Sequence, residues 1–274
     1  MAYKRILTIQ DISCLGQCSM TVALPILSAC GHECCILPTA VLSTHTGGFG
    51  KPAVTHLENS MEPVWRHWQV QSITFDAIYT GYLGSVGAVE TAQRIADALL
   101  APGGVLSVDP AMADHGRRYS GLSEEYARAM ANLCRKADIL IPNITEGAML
   151  SGLEYRKDPD AGYINAMLDS LPGKTVVLTG VGDGEGTTGA AVRQGNDVFR
   201  VPHKKVDRSF HGTGDMFAAA FVGALMQGKT VKQAVQIAGA FVLRSIELTV
   251  EAPAHRYGVR FESALGYLMA LLEN

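Results

Sequence analysis

The chain has 274 residues, 47% of them apolar and 18% charged, with 29 glycines and 11 prolines spread along its length. That composition excludes a disordered chain, a collagenous chain and a disulfide-knotted mini-protein. With 23 basic against 26 acidic residues the net charge is −3, so no basic excess is present to grip a nucleic-acid backbone. Short apolar runs alternate with helical patterns. Arg5 to Gln10 predicts a first strand, Ser19 to Cys30 a helix, and Cys34 to Val41 a second strand. Lys51 to Val70 holds a helical stretch, with an interruption expected near Pro63. Ala77 to Thr80 predicts a strand, Gly87 to Leu100 a helix, and Gly104 to Val108 a strand stopped by Asp109-Pro110. Glu124 to Lys136 is helical, Ile139 to Ile141 a strand, and Thr175 to Thr179 a β-branched strand. Ala190 to Arg193 and Val198 to Val201 predict a hairpin joined by Gln194-Gly195-Asn196-Asp197. Val231, Ala234, Val235, Ala238, Phe241, Val242 and Ile246 recur at helical spacing and mark a buried face. Ala264 to Leu272 closes the chain as a last helix.

This alternation predicts one α/β domain over residues 1–274: a mostly parallel central sheet with helices on both faces. In such a fold ligands sit beyond the carboxyl ends of the strands, so the chemistry belongs in the loops that follow them. The opening residues do not read as a signal peptide, because Asp11 interrupts a short apolar run. No apolar segment reaches membrane-spanning length. The cysteines, Cys14, Cys18, Cys30, Cys34, Cys35 and Cys134, lack zinc-ligand spacing and are expected to be reduced thiols in a cytoplasmic protein. Trp65 and Trp68 are expected to pack at a surface or interface.

The segment with the most chemistry is His211-Gly212-Thr213-Gly214-Asp215, followed by an apolar run that starts a helix. A helix start aims unpaired N–H groups and the positive dipole end at an anion. Asp215 at its lip can take or orient the proton of a substrate hydroxyl. Such a pairing suits phosphoryl transfer. The plain alternative is a glycine loop capped by Thr213 or Asp215. Pro142-Asn143-Ile144-Thr145-Glu146 follows a strand. It reads either as a capping box from Asn143 to Glu146 or as a carboxylate serving a cation beside a phosphate, and both can hold together. Thr179 and Gly180 end another strand before a glycine-rich loop. Asp114-His115-Gly116-Arg117-Arg118-Tyr119 is polar, glycine-containing and basic, and reads as a mobile flap with Arg117 or Arg118 near phosphate or as a solvated loop. Lys204, Lys205 and Arg208 add positive potential ahead of the glycine loop.

Read in order, Gln10, Ser43-Thr44-His45-Thr46-Gly47, Thr80-Gly81-Tyr82, Asp109-Pro110 and Gly212-Thr213-Gly214-Asp215 resemble the motifs of the pyridoxal/pyridoxine/pyridoxamine (vitamin B6) kinases of the ribokinase-like superfamily. The resemblance runs from about Ile6 to Leu243 and implies a three-layer α/β/α fold. It implies ATP-dependent phosphorylation of the 5′-hydroxymethyl group of a B6 vitamer, with Mg²⁺, ATP as co-substrate, room for a monovalent cation such as K⁺, and a homodimer. Asp215 is then the catalytic base, and Gly212, Thr213 and Gly214 form the anion hole. Asn143, Glu146, Thr179, Gly180, Asp109 and Asp114 serve the nucleotide phosphates, with Glu146 and Asp109 toward the metal. Gln10, Asp11, Thr46, His45 and Tyr82 line the substrate pocket, although packing roles for His45 and Tyr82 stay open.

Two positions depart from the family pattern. Asp11 stands where the family has Ser, and Thr44 where it has Asn. An acidic group at position 11 is expected to favour a substrate amine or a protonated ring nitrogen. The alternative within the superfamily is a hydroxymethylpyrimidine kinase of thiamine synthesis, a branch that often carries a cysteine near the position of Asp215. A different class again is a non-catalytic protein that binds B6 or nucleotide. The intact Asp215 and Glu146 count against it.

Overall fold

The computed structural model describes residues 3–182, 184–206, 208, 210–252 and 257–273. One nine-stranded sheet runs through them in the order β11-β10-β9-β8-β5-β4-β1-β2-β3. In chain order the first half comprises β1 (Arg5–Ser13), α1 (Met20–Ala29), β2 (Glu33–Leu42), β3 (Val54–His56), α2 (Glu58–Val70), β4 (Phe75–Thr80), α3 (Val86–Leu99) and β5 (Leu100–Val108). A small hairpin of β6 (Ala113–Asp114) and β7 (Arg117–Arg118) follows, then α4 (Glu124–Lys136), β8 (Ile139–Leu140), α5 (Ile144–Ser151), α6 (Ala161–Ser170) and β9 (Thr175–Thr179). The chain ends with β10 (Thr187–Gln194), β11 (Asp197–Lys204), α7 (Thr213–Met226), α8 (Val231–Val250), a short 3₁₀ turn (Phe261–Ala264) and α9 (Leu265–Glu273).

The centre of the sheet is parallel from β9 through β8, β5, β4 and β1 to β2. Antiparallel strands lie at both margins, β10 and β11 on one side and β3 on the other. Side chains alternate between two cores, as the two-residue period of a strand requires. Leu7, Ile78, Leu106, Leu140 and Leu178 pack against α2, α3, α4 and α6. Ile6, Ala77, Ile139, Val177 and Val192 pack against α1, α7, α8 and α9. Covering both faces explains why the central strands read as near-continuous apolar runs. The result is the three-layer α/β/α fold expected from the sequence. Among the described residues no helix is long and apolar enough to cross a membrane.

Several local expectations change. The 51–70 stretch is a short edge strand followed by one unbroken helix that contains Pro63. Pro63 is the sixth of the thirteen residues of α2, and its missing N–H deprives the carbonyl of exposed Asn59 of its helical partner. Trp65 is only 2% exposed and belongs to the core rather than the surface. Its indole N–H donates to Glu62 Oε2 at 3.0 Å. The 190–201 hairpin turns on two residues, Gly195-Asn196, and its strands are longer than expected. The start of α5 is the capping box read at Asn143–Glu146, whereas α6 was not expected. All six cysteines are free thiols, Cys30 and Cys134 fully buried.

Candidate active site

The candidate residues meet because backbone hydrogen bonds carry the parallel ladder past the strand ends. Gly81 N–H donates to the Ile9 carbonyl at 3.2 Å, and Asp11 N–H to the Tyr82 carbonyl at 3.2 Å. Asp109 N–H reaches the Thr80 carbonyl, Ile141 N–H the Val108 carbonyl and Thr179 N–H the Pro142 carbonyl, each at 2.9 Å. Thus Gln10, Asp11, Tyr82, Asp109, Asn143 and Thr179 all stand at one end of the sheet. A single parallel bridge pairs Asn143 with Thr179.

Helix α7 brings its N-terminus to this end. Its N-cap is Gly212, at φ 80, and no side chain caps its amides. Left-handed φ favours glycine here, and a Cβ would also run into the Gln17 carbonyl oxygen. A Cβ on Gly214 would meet no atom within 4 Å, so that side of the turn is open. Thr213 directs its hydroxyl to the Phe210 carbonyl at 3.4 Å. Asp215, in the first turn, is half-buried. Burial, and then the charge of Asp11, push its carboxyl up to about 6 against the opposing effect of an N–H bond from Ser19.

Beyond the ends of β5 and β8, Asp109 and Glu146 are both buried. Burial, then Glu146 and Asp215, raise the Asp109 carboxyl well above the usual range. Glu146 is also raised by burial, although three backbone N–H groups pull it down. Those donors are Met112 at 2.8 Å and Ala113 at 3.4 Å on Oε1, and Asn143 at 2.9 Å on Oε2. The capping box read in the sequence is therefore present. Asn143 is fully engaged in it: Oδ1 accepts from Glu146 N–H, while Nδ2 donates to the Ala113 carbonyl at 2.8 Å. Asn143 thus braces the β6–β7 hairpin. The 114–119 flap is that hairpin, turning on His115 (φ 50) and Gly116 (φ 76). Asp114 lies exposed on it, and Arg118 pairs with Glu124 at 2.6 Å. Thr179 donates its hydroxyl to the Pro142 carbonyl at 3.3 Å, and Gly180 follows at φ 79.

The opposite side of the site is aromatic. His45 is buried, its Nδ1 accepts the Gly47 N–H at 3.0 Å, and its Nε2 has no partner. Burial, then His211, lower its pKa and favour the neutral ring. The His45 ring lies 5.0 Å from Phe49 and 5.1 Å from His211, and Phe49 stacks on Tyr257 at 3.9 Å. Thr46 is exposed on the same loop, and Tyr82 is half-buried opposite. Gln10 lies below, fully buried, with Nε2 donating to Thr8 Oγ1 at 2.6 Å and Oε1 unpartnered against Gly81. Asp11 is buried rather than open to solvent, and accepts a hydroxyl bond from Ser13 at 3.2 Å. Burial raises its carboxyl in spite of that bond. Sequence reasoning missed Ser19, Phe49 and Tyr257. Only the aromatic character of the last two signalled them.

Comparison with known proteins agrees with this geometry. The family described as phosphomethylpyrimidine kinase matches residues 26–259. A pyridoxine/pyridoxal/pyridoxamine kinase of Bordetella bronchiseptica is 28% identical over 90% of each chain. The crystal structure of pyridoxal kinase from Lactobacillus plantarum superposes with a TM-score of 0.91 at 31% identity, covering 99% of each chain. The Staphylococcus aureus pyridoxal kinase in complex with AMP-PCP and pyridoxal superposes at 0.76 with 25% identity, over 90% of this chain and 89% of that one. In fold, in the order of its motifs and in likeness over nearly its whole length, the chain belongs to the phosphomethylpyrimidine kinase family, within the ribokinase-like group that also holds the pyridoxal kinases.

Proposed function

We propose that the protein transfers the γ-phosphoryl group of ATP to the 5′-hydroxymethyl oxygen of a vitamin B6 form: pyridoxal, pyridoxine or pyridoxamine. One observation carries the reading. A half-buried Asp215 stands in the first turn of α7, beside amides that no side chain caps. Those N–H groups and the helix dipole offer a place for the equatorial oxygens of the transferring phosphoryl group. Asp215, with its carboxyl pushed up to about 6, is matched to accepting or orienting an alcohol proton near neutral pH. In-line attack then needs little more than positioning and charge stabilisation. His45, Thr46, Phe49 and Tyr82 supply a largely aromatic wall suited to a pyridine ring. The named substrates of the relatives support the same choice.

The residues also fit Mg²⁺. Asp109 and Glu146 are buried carboxylates with raised proton affinity, an arrangement that a cation relieves. Among the described residues no group of three or more metal-ligating side chains forms a closed cage. Mg²⁺ prefers such a setting: one or two carboxylates, with water and phosphate oxygens completing its shell. Bound there, it would neutralise charge on the β- and γ-phosphates.

The family's description favours one rival, a hydroxymethylpyrimidine substrate. Initial rates with ATP on pyridoxal, pyridoxine, pyridoxamine and hydroxymethylpyrimidine, measured side by side, separate the two. In the same assay Asp215→Ala is expected to bind ATP normally and to lose turnover by on the order of 10²–10⁴-fold. Near-native turnover in that variant would remove Asp215 from the mechanism.

A further inference from the structure

The loop that follows β2 leaves the sheet at Ser43 and returns at Ala53. Two bonds close its neck: Ser43 N–H donates to the Ala53 carbonyl at 2.9 Å, and Ala53 N–H to Ser43 Oγ at 3.0 Å. Its near arm is fixed to the turn after β1, where His45 N–H donates to the Leu15 carbonyl at 3.0 Å. Gly47 approaches the His211 ring so closely that a Cβ there would run into it. The tip has no such backbone ties. Among the described residues, none of 48–52 takes part in a hydrogen bond. Gly48 and Gly50 hold φ 83 and 77, and a Cβ on either would meet no atom within 4 Å. Between them Phe49 carries the ring contacts of the tip, edge-on to His45 at 5.0 Å and stacked on Tyr257 at 3.9 Å with 27° between the planes. Tyr257 belongs to the segment after α8, and that segment is anchored. A Cβ on Gly258, at φ 108, would run into Gln17. Arg260 N–H donates to Thr249 Oγ1 at 2.8 Å, and Val259 and Phe261 are buried. Gln17 also donates through Nε2 to Glu262 at 2.6 Å, while its carbonyl abuts Gly212 at the start of α7. The ring of Tyr257 is itself 40% exposed, so it adds little to the core.

We propose that Tyr257 is a positioning residue for the substrate pocket: its ring stacks on Phe49 and keeps the glycine-flanked tip of the 43–53 loop against His45, so that the wall meeting a planar heteroaromatic substrate is set before that substrate arrives. Tyr257 acts through Phe49 and need not touch the substrate. The glycines on either side of Phe49 leave the tip many backbone conformations, and the stack selects one of them. A ligand that binds one arrangement of a loop loses apparent affinity in proportion to the time the loop spends elsewhere. The rings run from Tyr257 through Phe49 and His45 to His211, which precedes the Gly212 cap of α7. That line follows β2 at one side of the sheet, whereas Asp109 and Glu146 lie beyond β5 and β8. The effect of Tyr257 therefore falls on the aromatic substrate and not on ATP. The proposal rests on the reading of this aromatic wall as the place of the pyridine ring.

The test uses the full chain with Y257A and Y257F. In Y257A the KM for pyridoxal is expected to rise roughly 3–10-fold, the weight of one aromatic pair. KM for ATP should stay within about twofold of wild type and kcat at saturation within about threefold. Its Tm should stay within about 2 °C. Y257F keeps the ring and should restore the wild-type KM for pyridoxal. An unchanged KM for pyridoxal in Y257A overturns the proposal, and so does a KM for ATP that rises as much, which would mark a general structural role. A Y257F as impaired as Y257A would show that the hydroxyl acts and not the stack, and overturns it too. Cleavage by chymotrypsin after Phe49, followed by mass spectrometry, reads the same point without activity. Its initial rate in the unliganded protein should rise roughly 3–10-fold in Y257A and stay at the wild-type rate in Y257F; equal rates in all three proteins refute the role. If the wild type fails to phosphorylate pyridoxal while Y257A still speeds that cleavage, the substrate reading is at fault and the hold of Tyr257 on the loop stands.

Discussion

A carboxylate held at the expense of its own solvation should destabilise the fold, and Asp215 allows that to be measured. Its carboxyl is pushed from an ordinary 3.8 up to about 6, by burial and then by Asp11. The folded state therefore holds this proton more tightly than the unfolded chain does. The penalty is absent below the unfolded value, grows as pH rises from about 4 to about 6, and is complete above that. At about 1.4 kcal/mol for each tenfold change in proton affinity, the upper bound is about 3 kcal/mol. Asp215 is only half-buried, and solvent at the lip screens part of the repulsion, so about 1–2 kcal/mol is the expected share. Asp215→Asn removes the charge and nearly preserves the shape. Its Tm should match wild type near pH 4 and exceed it by roughly 2–6 °C at pH 7–8, a difference that stays level above pH 7. Thermal unfolding followed by circular dichroism at pH 4, 5, 6, 7 and 8 reads this directly. The same variant should have lost most of its turnover. A Tm lowered equally at every pH would show that Asp215 is a stabilising first-turn carboxylate, and the desolvation reasoning would fail.

Two further perturbations bear on the same end of the sheet. Gly212→Ala puts a Cβ on a residue at φ 80 and against the Gln17 carbonyl. The conformation alone costs about 1–2 kcal/mol, and relieving the collision must move the turn before Ser19. Chemical denaturation should show a loss of roughly 2–4 kcal/mol and kinetics a fall in kcat larger than the rise in KM. Glu146→Ala leaves the Met112 and Asn143 N–H groups without their acceptor and should cost about 1–3 kcal/mol. Titrating initial rates against Mg²⁺ and ATP should show both requirements raised. An unchanged Mg²⁺ dependence would confine Glu146 to its capping box.

What the sequence disclosed depended on whether the signal was local. The ends of α4 were legible because Ser123 caps it, Glu124 and Glu125 fill its first turn, and Arg135 and Lys136 its last. Strand β9 was legible because β-branched residues crowd it. The GTGD loop was legible because two glycines and a carboxylate precede a long apolar helix. The full commitment of Asn143 was not, since its partner Ala113 lies 30 residues away. Trp65 could not be placed in the core, because two tryptophans three apart specify a helix face but not which layer covers it. Ser19 gave no signal at all. Its positive φ is a conformation that residue type and local pattern do not record.

The charged groups at the two ends of the sheet are balanced in different ways. At the amino end of β1, Asp76 accepts the Arg5 N–H at 2.9 Å and pairs with Lys4 at 3.0 Å. These bonds outweigh its partial burial, and its pKa is lowered. At the other end Asp11, Asp109, Glu146 and Asp215 are all raised, each chiefly by burial. None of the ion pairs among the described residues involves any of these four. A fold selected for stability alone would pair or expose such groups. Their fixed partners here are backbone N–H groups and hydroxyls, together with the uncapped start of α7. That set can orient carboxylates but cannot neutralise them. A polyphosphate entering this end adds negative charge to negative charge, so its binding is favourable only when a divalent cation arrives with it and the helix amides take up part of the remainder. Under the proposed function, the electrostatic cost built into this end of the sheet would therefore make it selective for a metal-bound nucleotide over a bare anion.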